Sequence, residues 1–430
     1  MVEGARQIGK SYIIRHIGQR LFKNFIELNM EEDKLKDRIF AEAKTIEDFY
    51  MALSVVAGDR MKDKHSTLVF IDEIQAYEHL LTLVKFLKQD DKFTYIASGS
   101  LLGVTLRKTQ SVPMGSLEIA PMYPMDFEEF LIANGMGQLA IDNLRHAFLN
   151  RTALNEAMHN KMLDFFKKYL IIGGMPKAVQ TFVDTKNINK IRSVQKEIHE
   201  LYKADCTKYE EELNKKLKIR RIYDMIPSML ENKKKRMIFK DIEDKKWKRS
   251  ADYEEEFEYL ISAGVVLEDK AVSTPTYPLI QNSSKNLIKL YMNDVGILSG
   301  IYYKNNINAI MNDDKSTNLG ALYETVVAQE LAAHDFKLFY YDNKKKGEID
   351  FLIDDVENLS NIPLEVKSGK DYTVHSALDS FMVNPDYNIR QGFVLSNERH
   401  IYTKDNMTYI PIYLIMCFHN ESEEQTVYLD

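Results

Sequence analysis

Eight consecutive residues, GARQIGKS from Gly4 to Ser11, satisfy the spacing G-x-x-x-x-G-K-S in full. That spacing suits phosphate chemistry. Gly4 and Gly9 let backbone N–H groups curl around an anion, Lys10 can reach terminal phosphates, and Ser11 can offer its hydroxyl to Mg²⁺. Gly4, Ala5, Arg6, Gln7, Ile8, Gly9, Lys10, Ser11 and the following Tyr12 are therefore candidate contacts for a nucleotide. A second stretch, STLVFIDEIQ, reads as an apolar strand over 67–71 that delivers Asp72 and Glu73 to its C-terminal end. Asp72 would hold Mg²⁺, directly or through water, and Glu73 would orient or deprotonate an attacking water. Acidic residues ending a strand are by themselves usually just solvated. The loop upstream gives these two a partner. In YIASGSLLG, Ser98 or Ser100 would sense a γ-phosphate or, equally, cap the next helix. Arg107 is a candidate arginine finger acting on a neighbouring subunit.

A second constellation lies near the C-terminus. Glu324 falls on the helical pattern ALYETVVAQEL, Asp350 inside GEIDFLI, and Glu365 and Lys367 inside LEVKS. Residues i and i+2 of a strand share a face, so Glu365 and Lys367 project together, with Asp350 supplied by a neighbouring strand. Asp350 and Glu365 could bind Mg²⁺ beside a scissile phosphate, Lys367 could orient or activate water, and Glu324 could complete the metal shell. A charged strand edge is the bland alternative. A turn closing the strand explains Ser368 and Gly369 as well as phosphate contact does.

The elements that must position these groups fall into three stretches. Residues 1–135 alternate apolar strands (FIELN, STLVFIDE, FTYIASGS) with amphipathic segments, the texture of a mostly parallel sheet covered by helices. Over 136–275 apolar residues recur at three and four, so helices dominate. At the end of this stretch, YEEEFEYLISAGVVLEDKAV reads as a helix stopping near Gly264 and feeding a strand, either a winged-helix element or a bundle with a small hairpin. From 276 to 430 the α/β texture returns, with FKLFYYDN, GEIDFLIDD, NIPLEVKSG, QGFVLS and TYIPIYLI as strand candidates. The fold class is thus a multidomain α/β protein. IIGGMPKAV, interrupted by Gly173, Gly174 and Pro176, is expected to be a joint packed on the first domain. YKADCTKY (202–209) is expected at a helix end, either touching a partner or packed inside.

At 430 residues the chain exceeds what one core usually supports, and its 45% hydrophobic and 28% charged content is that of a globular protein. A formal charge of −7 excludes a uniformly basic coat but not a local groove, for which KKLKIRR and KKKR are candidates or simply solvated faces. Two cysteines without CxxC spacing indicate neither a zinc ribbon nor a disulfide scaffold. No apolar run reaches ~18 residues. The expectation is a cytoplasmic protein with no membrane partner.

GARQIGKSYIIR, VFIDEIQ, ASGSLLGV, MYPMDFEEF, IIGGMPKAV, LYKADCTKY, KLYMNDVGIL, GEIDFLI and PLEVKSGK together, in this order, resemble the bacterial AAA-type (AAA_14) ATPases that carry a C-terminal DUF4143 domain. The resemblance spans nearly the whole chain. It implies a P-loop, AAA-type ATPase domain, helical and winged-helix-like middle parts, and a C-terminal domain similar to restriction endonucleases. With it come ATP and Mg²⁺ as cofactors, the Lys10, Ser11, Asp72 and Glu73 set as nucleotide machinery, and oligomerisation as an expectation.

The leading expectation is an ATPase or ATP-driven switch acting on nucleic acid or a protein partner. One alternative is a metal-dependent nuclease at Asp350, Glu365 and Lys367. Another is a nucleotide-gated binding protein with little turnover. Transport is disfavoured by the lack of membrane segments, and a metabolic kinase by the lack of an acceptor pocket. Only Met1, Val2 and Glu3 precede the phosphate loop, so its first strand is expected to be frayed, or completed by residues upstream of the recorded start.

Overall fold

The computed structural model describes all residues except 101, 105–116, 209, 211, 233–234, 244–248, 313–316, 344–345, 370–372, 374 and 421–430. Arg107 and Tyr209 therefore lie outside the described residues. The chain forms two compact units, one of Met1–Tyr123 with Glu258–Val265, the other of Pro124–Phe257 with Val266–Asp430.

In the first unit the described strands are β1 (Val2–Glu3), β2 (Asn24–Asn29), β3 (Thr67–Asp72), β4 (Thr94–Gly99) and β5 (Ala120–Pro121), in the spatial order β2-β3-β4-β1-β5. Every pairing is parallel. Parallel neighbours need crossovers, which the helices Lys10–Leu21, Ile46–Ala57 and Glu78–Asp90 supply. All six residues of β3 are buried, which is why TLVFID reads as a continuous apolar run rather than an alternating one. Val69 and Ile71 join Ile26, Leu28, Phe49, Leu53, Leu80 and Leu81 in the core, each such side chain contributing roughly 1.5–3 kcal/mol by leaving water. Thr45 and Asp48 close a capping box that fixes where Ile46–Ala57 begins.

The first strand is short but not frayed. Val2 pairs with Ser98 on one side and Ala120 on the other, and Ala120 N and Met122 N donate to Met1 O and Glu3 O, each at 2.8 Å. Pairing on both edges ties these backbone groups to the neighbouring strands.

The second unit begins with helices Phe127–Ala133, Gln138–Leu149, Glu156–Ile172, Pro176–Thr185, Ile188–Asp205 and Leu213–Glu231. Its described strands are β6 (Val266–Val272), β7 (Ser283–Met292), β8 (Leu338–Asn343), β9 (Gly347–Asp355), β10 (Ser360–Val366), β11 (Gly392–Ser396), β12 (Tyr402–Lys404) and β13 (Met407–Pro411), in the order β12-β13-β11-β10-β9-β8-β6-β7. The strand read as a wing is therefore not one. β6 pairs antiparallel with β7 and parallel with β8, and its mostly buried side chains are covered as part of this sheet. TYIPIYLI is a strand only to Pro411, after which Ile412–Cys417 turns into a short 3₁₀ helix.

Helix Gly320–Ala333 is buried almost throughout, its Glu324, Thr325, Gln329 and Glu330 included. The joint at Gly173 and Gly174 packs against Met125, at the end of the stretch read as the first domain, and against Asp294. A Cβ on Gly174 would stand 1.9 Å from Met125 O, while Gly174 N donates to Asp294 Oδ2 at 2.6 Å. Tyr202, Asp205 and Cys206 are buried, with Asn293 Nδ2 donating to the Tyr202 hydroxyl at 3.5 Å, while Ala204 and Lys208 of YKADCTKY are exposed.

Candidate functional site

The phosphate loop runs from the end of β1 into helix Lys10–Leu21. Gly9 caps that helix with φ of 102°, a conformation open to glycine and strained for other residues, and Gln7 also lies at positive φ. Ala5 and Ile8 are buried and pin the loop, Arg6 and Gly9 are half-buried, Gln7 is exposed, and Tyr12 stands out in solvent beside His16. Lys10 is 7% exposed, and its ammonium donates to Gly4 O at 2.9 Å and Ala5 O at 2.7 Å. Gly264, from the distant 258–265 segment of the same unit, comes so close that a Cβ there would meet Ala5 N at 2.9 Å.

Asp72 gathers the surrounding polar groups. Ser11 Oγ donates to its Oδ2 at 2.8 Å, while Ser98 Oγ at 2.5 Å and Glu73 N at 3.1 Å donate to Oδ1. The register Ile71↔Ala97 sets the ends of β3 and β4 side by side and so brings Ser98 to Asp72. A hydroxyl and a carboxylate in contact are the hard oxygen donors Mg²⁺ prefers, so Ser11 and Asp72 fit that ion.

Glu73 leaves the strand in a left-handed turn, φ 52°. Its carboxylate accepts from Ser100 Oγ at 2.9 Å, from Ser100 N at 3.3 Å and from Gln75 Nε2, and Arg6 Nε donates to the same Ser100 hydroxyl at 3.1 Å. Of the two serines, Ser98 thus serves Asp72 and Ser100 serves Glu73. Sequence reasoning assigned Gln75 no role. Its place two residues beyond Glu73 was the available signal.

In the second unit, Asp350 on β9 stands one step past the pair Phe351↔Leu364, which sets it across from Glu365 on β10. Lys367 Nζ donates to Glu365 Oε1 at 2.7 Å, Val366 N donates to Asp350 Oδ2 at 2.8 Å, and the Tyr291 hydroxyl donates to Glu324 Oε2 at 3.3 Å. Lys235 forms an ion pair with Glu324 Oε1. Burial first, and then the nearby Asp350, pushes Glu365 up to about 8 and raises Glu324. On neighbouring strands the fully buried Asp269 and Lys289 face each other across the β6–β7 ladder. Lys289 Nζ lies 2.6 Å from Glu348 Oε1 without hydrogen-bond geometry, a close charge contact only. The sequence expectation therefore brings Asp350, Glu365 and Lys367 together, but it missed Lys235, Lys289, Asp269 and Tyr291. Among the described residues, no group of three His, Cys, Asp or Glu side chains is placed to share a metal ion. No described helix is long and apolar enough to cross a membrane.

Residues 1–131 match the family described as AAA domain (AAA_14), residues 163–314 a domain of unknown function (DUF8612), and residues 319–415 a domain of unknown function (DUF4143). No functionally curated protein matches the chain. Among solved structures, the Orc1 protein of Aeropyrum pernix in complex with DNA is 11% identical, covering 73% of this chain and 86% of its own, at a TM-score of 0.28. Cdc6p from Pyrobaculum aerophilum is 11% identical, covering 73% of this chain and 87% of its own, at 0.23. Likeness at that level has no bearing on the chemistry of either site. The chain carries an AAA domain over its first 131 residues and a DUF4143 domain over residues 319–415.

Proposed function

We propose that the chain binds ATP with Mg²⁺ and works as an ATPase or nucleotide switch on nucleic acid or a protein partner. The observation that carries this reading is the convergence of Ser11 and Ser98 on Asp72, next to a loop whose Lys10 is anchored on backbone carbonyls. Loop amides and the N-terminus of helix Lys10–Leu21 favour an anion, and Lys10 exchanges its carbonyl partners for phosphate oxygens. Ser11 and Asp72 would hold Mg²⁺, which neutralises charge on the phosphates when bound. Glu73 orients the attacking water and accepts its proton, and Ser100 and Gln75 fix its carboxylate.

Calorimetric ATP titration separates the outcomes. Wild type should bind, and Lys10→Ala should lose affinity on the order of 10-fold to 100-fold. Phosphate release should disappear in Glu73→Gln while binding persists. Equal affinity in wild type and Lys10→Ala would overturn the reading, and binding without release in wild type would favour the gated binding protein. Repeating both assays with duplex, branched and single-stranded DNA tests the nucleic-acid partner, which indifference to every form would count against.

A second reading, nuclease chemistry at Asp350, Glu365 and Lys367, draws support from the Lys367–Glu365 contact and the adjacent Asp350. Cleavage of varied DNA substrates with Mg²⁺ or Mn²⁺, lost in Asp350→Asn, would support it.

A further inference from the structure

A metal shell needs carboxylate oxygens that converge with lone pairs to spare. In the second unit both Glu324 oxygens are taken, whereas Glu365 Oε2 is buried without a hydrogen-bond partner. Glu324 spends Oε1 on Lys235 and Oε2 on Tyr291, Asp350 Oδ2 takes the Val366 amide, and Glu365 Oε1 takes Lys367. Lys235 is the unexpected member, 89 residues before Glu324 in sequence. Its side chain is 18% exposed and that of Glu324 5%. Its charge is also felt by Asp350 as well as by Glu324.

The segment bearing Lys235 is fastened and not draped over the surface. Lys235 N donates to Asn232 O at 3.0 Å, Arg236 pairs with Asp342 on β8, and Met237 N donates to Ile288 O on β7 at 3.1 Å. The ammonium is thus delivered to the acids by a stretch of chain tied to the sheet at two further points. A cation tethered in this way competes at high effective concentration with any ion from solution. Displacing it would strand a mostly buried charge, which is costly.

We propose that Lys235 is a built-in cation for the Glu324–Asp350 end of this cluster, and that its ammonium stands where a divalent ion would otherwise be bound, so that this end is charge-stapled by the chain itself. The inference is independent of the ATP reading and stands against the metal-dependent nuclease reading. It concerns residues of the second unit only.

The test titrates Mn²⁺ into nucleotide-free protein, with Asp72→Asn in every arm to silence the first site, and reads free Mn²⁺ by electron paramagnetic resonance. The Asp72→Asn protein should show no tight Mn²⁺ site. Adding Lys235→Met should open one, with affinity about 100-fold higher, and adding Asp350→Asn to that variant should close it again. Tight Mn²⁺ binding by Asp72→Asn alone that Asp350→Asn abolishes would overturn the proposal, as would a folded Lys235→Met variant that binds no better. Should Lys235→Met fail to fold, the thermal midpoint of Glu324→Gln in EDTA decides. A stapling lysine left without its partner lowers the midpoint, whereas an acid cluster awaiting metal is relieved of repulsion and keeps or raises it.

Discussion

Ser11 Oγ donates to Asp72 Oδ2 at 2.8 Å, joining the first turn of helix Lys10–Leu21 to the end of β3 across 61 residues. The carboxylate accepts from three donors, so its position is fixed before any ligand arrives. Asp72→Asn keeps the shape and an accepting oxygen but removes the charge. ATP affinity in Mg²⁺ should fall about 10-fold to 100-fold, and affinity in EDTA should barely move. An equal loss in both buffers, measured by calorimetry, would mean that Asp72 serves the loop and not the ion.

Ser100 lies between Arg6 and Glu73, donating to the carboxylate and accepting from the guanidinium. We treat it as a positioning residue. Ser100→Ala should leave ATP affinity within about threefold and slow single-turnover hydrolysis on the order of 10-fold, because a misplaced base loses proton-transfer geometry. Ser100→Thr, which retains the hydroxyl, should recover most of the rate. Equal rates for wild type and Ser100→Ala would remove Ser100 from the machinery.

The loop and the strand ending in Asp72 and Glu73 were legible because their signals are local: a fixed glycine spacing and a run apolar enough to be buried on both faces. The E-x-K face at the end of β10, where Lys367 follows the last strand residue, was legible for the same reason, since strand alternation is a two-residue rule. What escaped is what pairing decides. Nothing near Lys235 marks Glu324 as its partner, and β6 gave no sign that it would sit between β7 and β8 and not form a wing. β1 looked too short to hold the loop because its support comes from residues 98–99 and 120–121, far along the chain. The IIGGMPKAV joint was recognised as a joint, and Met125 lies in the stretch expected to meet it, but Asp294 was not foreseen, since glycines announce close approach and not everything that approaches.

Gly174 offers a stability test of that close approach. A methyl group there would meet the Met125 carbonyl at 1.9 Å, and backbone on both sides cannot step aside as a side chain would. Gly174→Ala should cost roughly 2–3 kcal/mol in urea unfolding. Gly137, with nothing within 4 Å of a Cβ, is the matched control. Gly137→Ala, which loses only the capping preference at the start of helix Gln138–Leu149, should cost no more than about 1 kcal/mol. Similar values for the two would show that the chain relaxes around Gly174.

His159 should make the fold sensitive to mild acid. Its Nδ1 lies 3.0 Å from the Tyr413 hydroxyl, and burial first, with Arg399 adding to it, holds the imidazole below its ordinary range. The unfolded chain, with an ordinary histidine, therefore takes up its proton first as pH falls through about 6.5. Below that point the unfolded state binds more protons than the folded one, so the contribution of His159 to stability is complete above about 6.5 and is lost progressively on acidification. His159→Gln keeps a partner for Tyr413 but cannot titrate. In urea unfolding at pH 7.5 and 5.5, wild type should lose more stability between the two than the variant does. Subtracting the curves cancels His199, which burial also lowers. Parallel losses would show that His159 protonates as readily folded as unfolded.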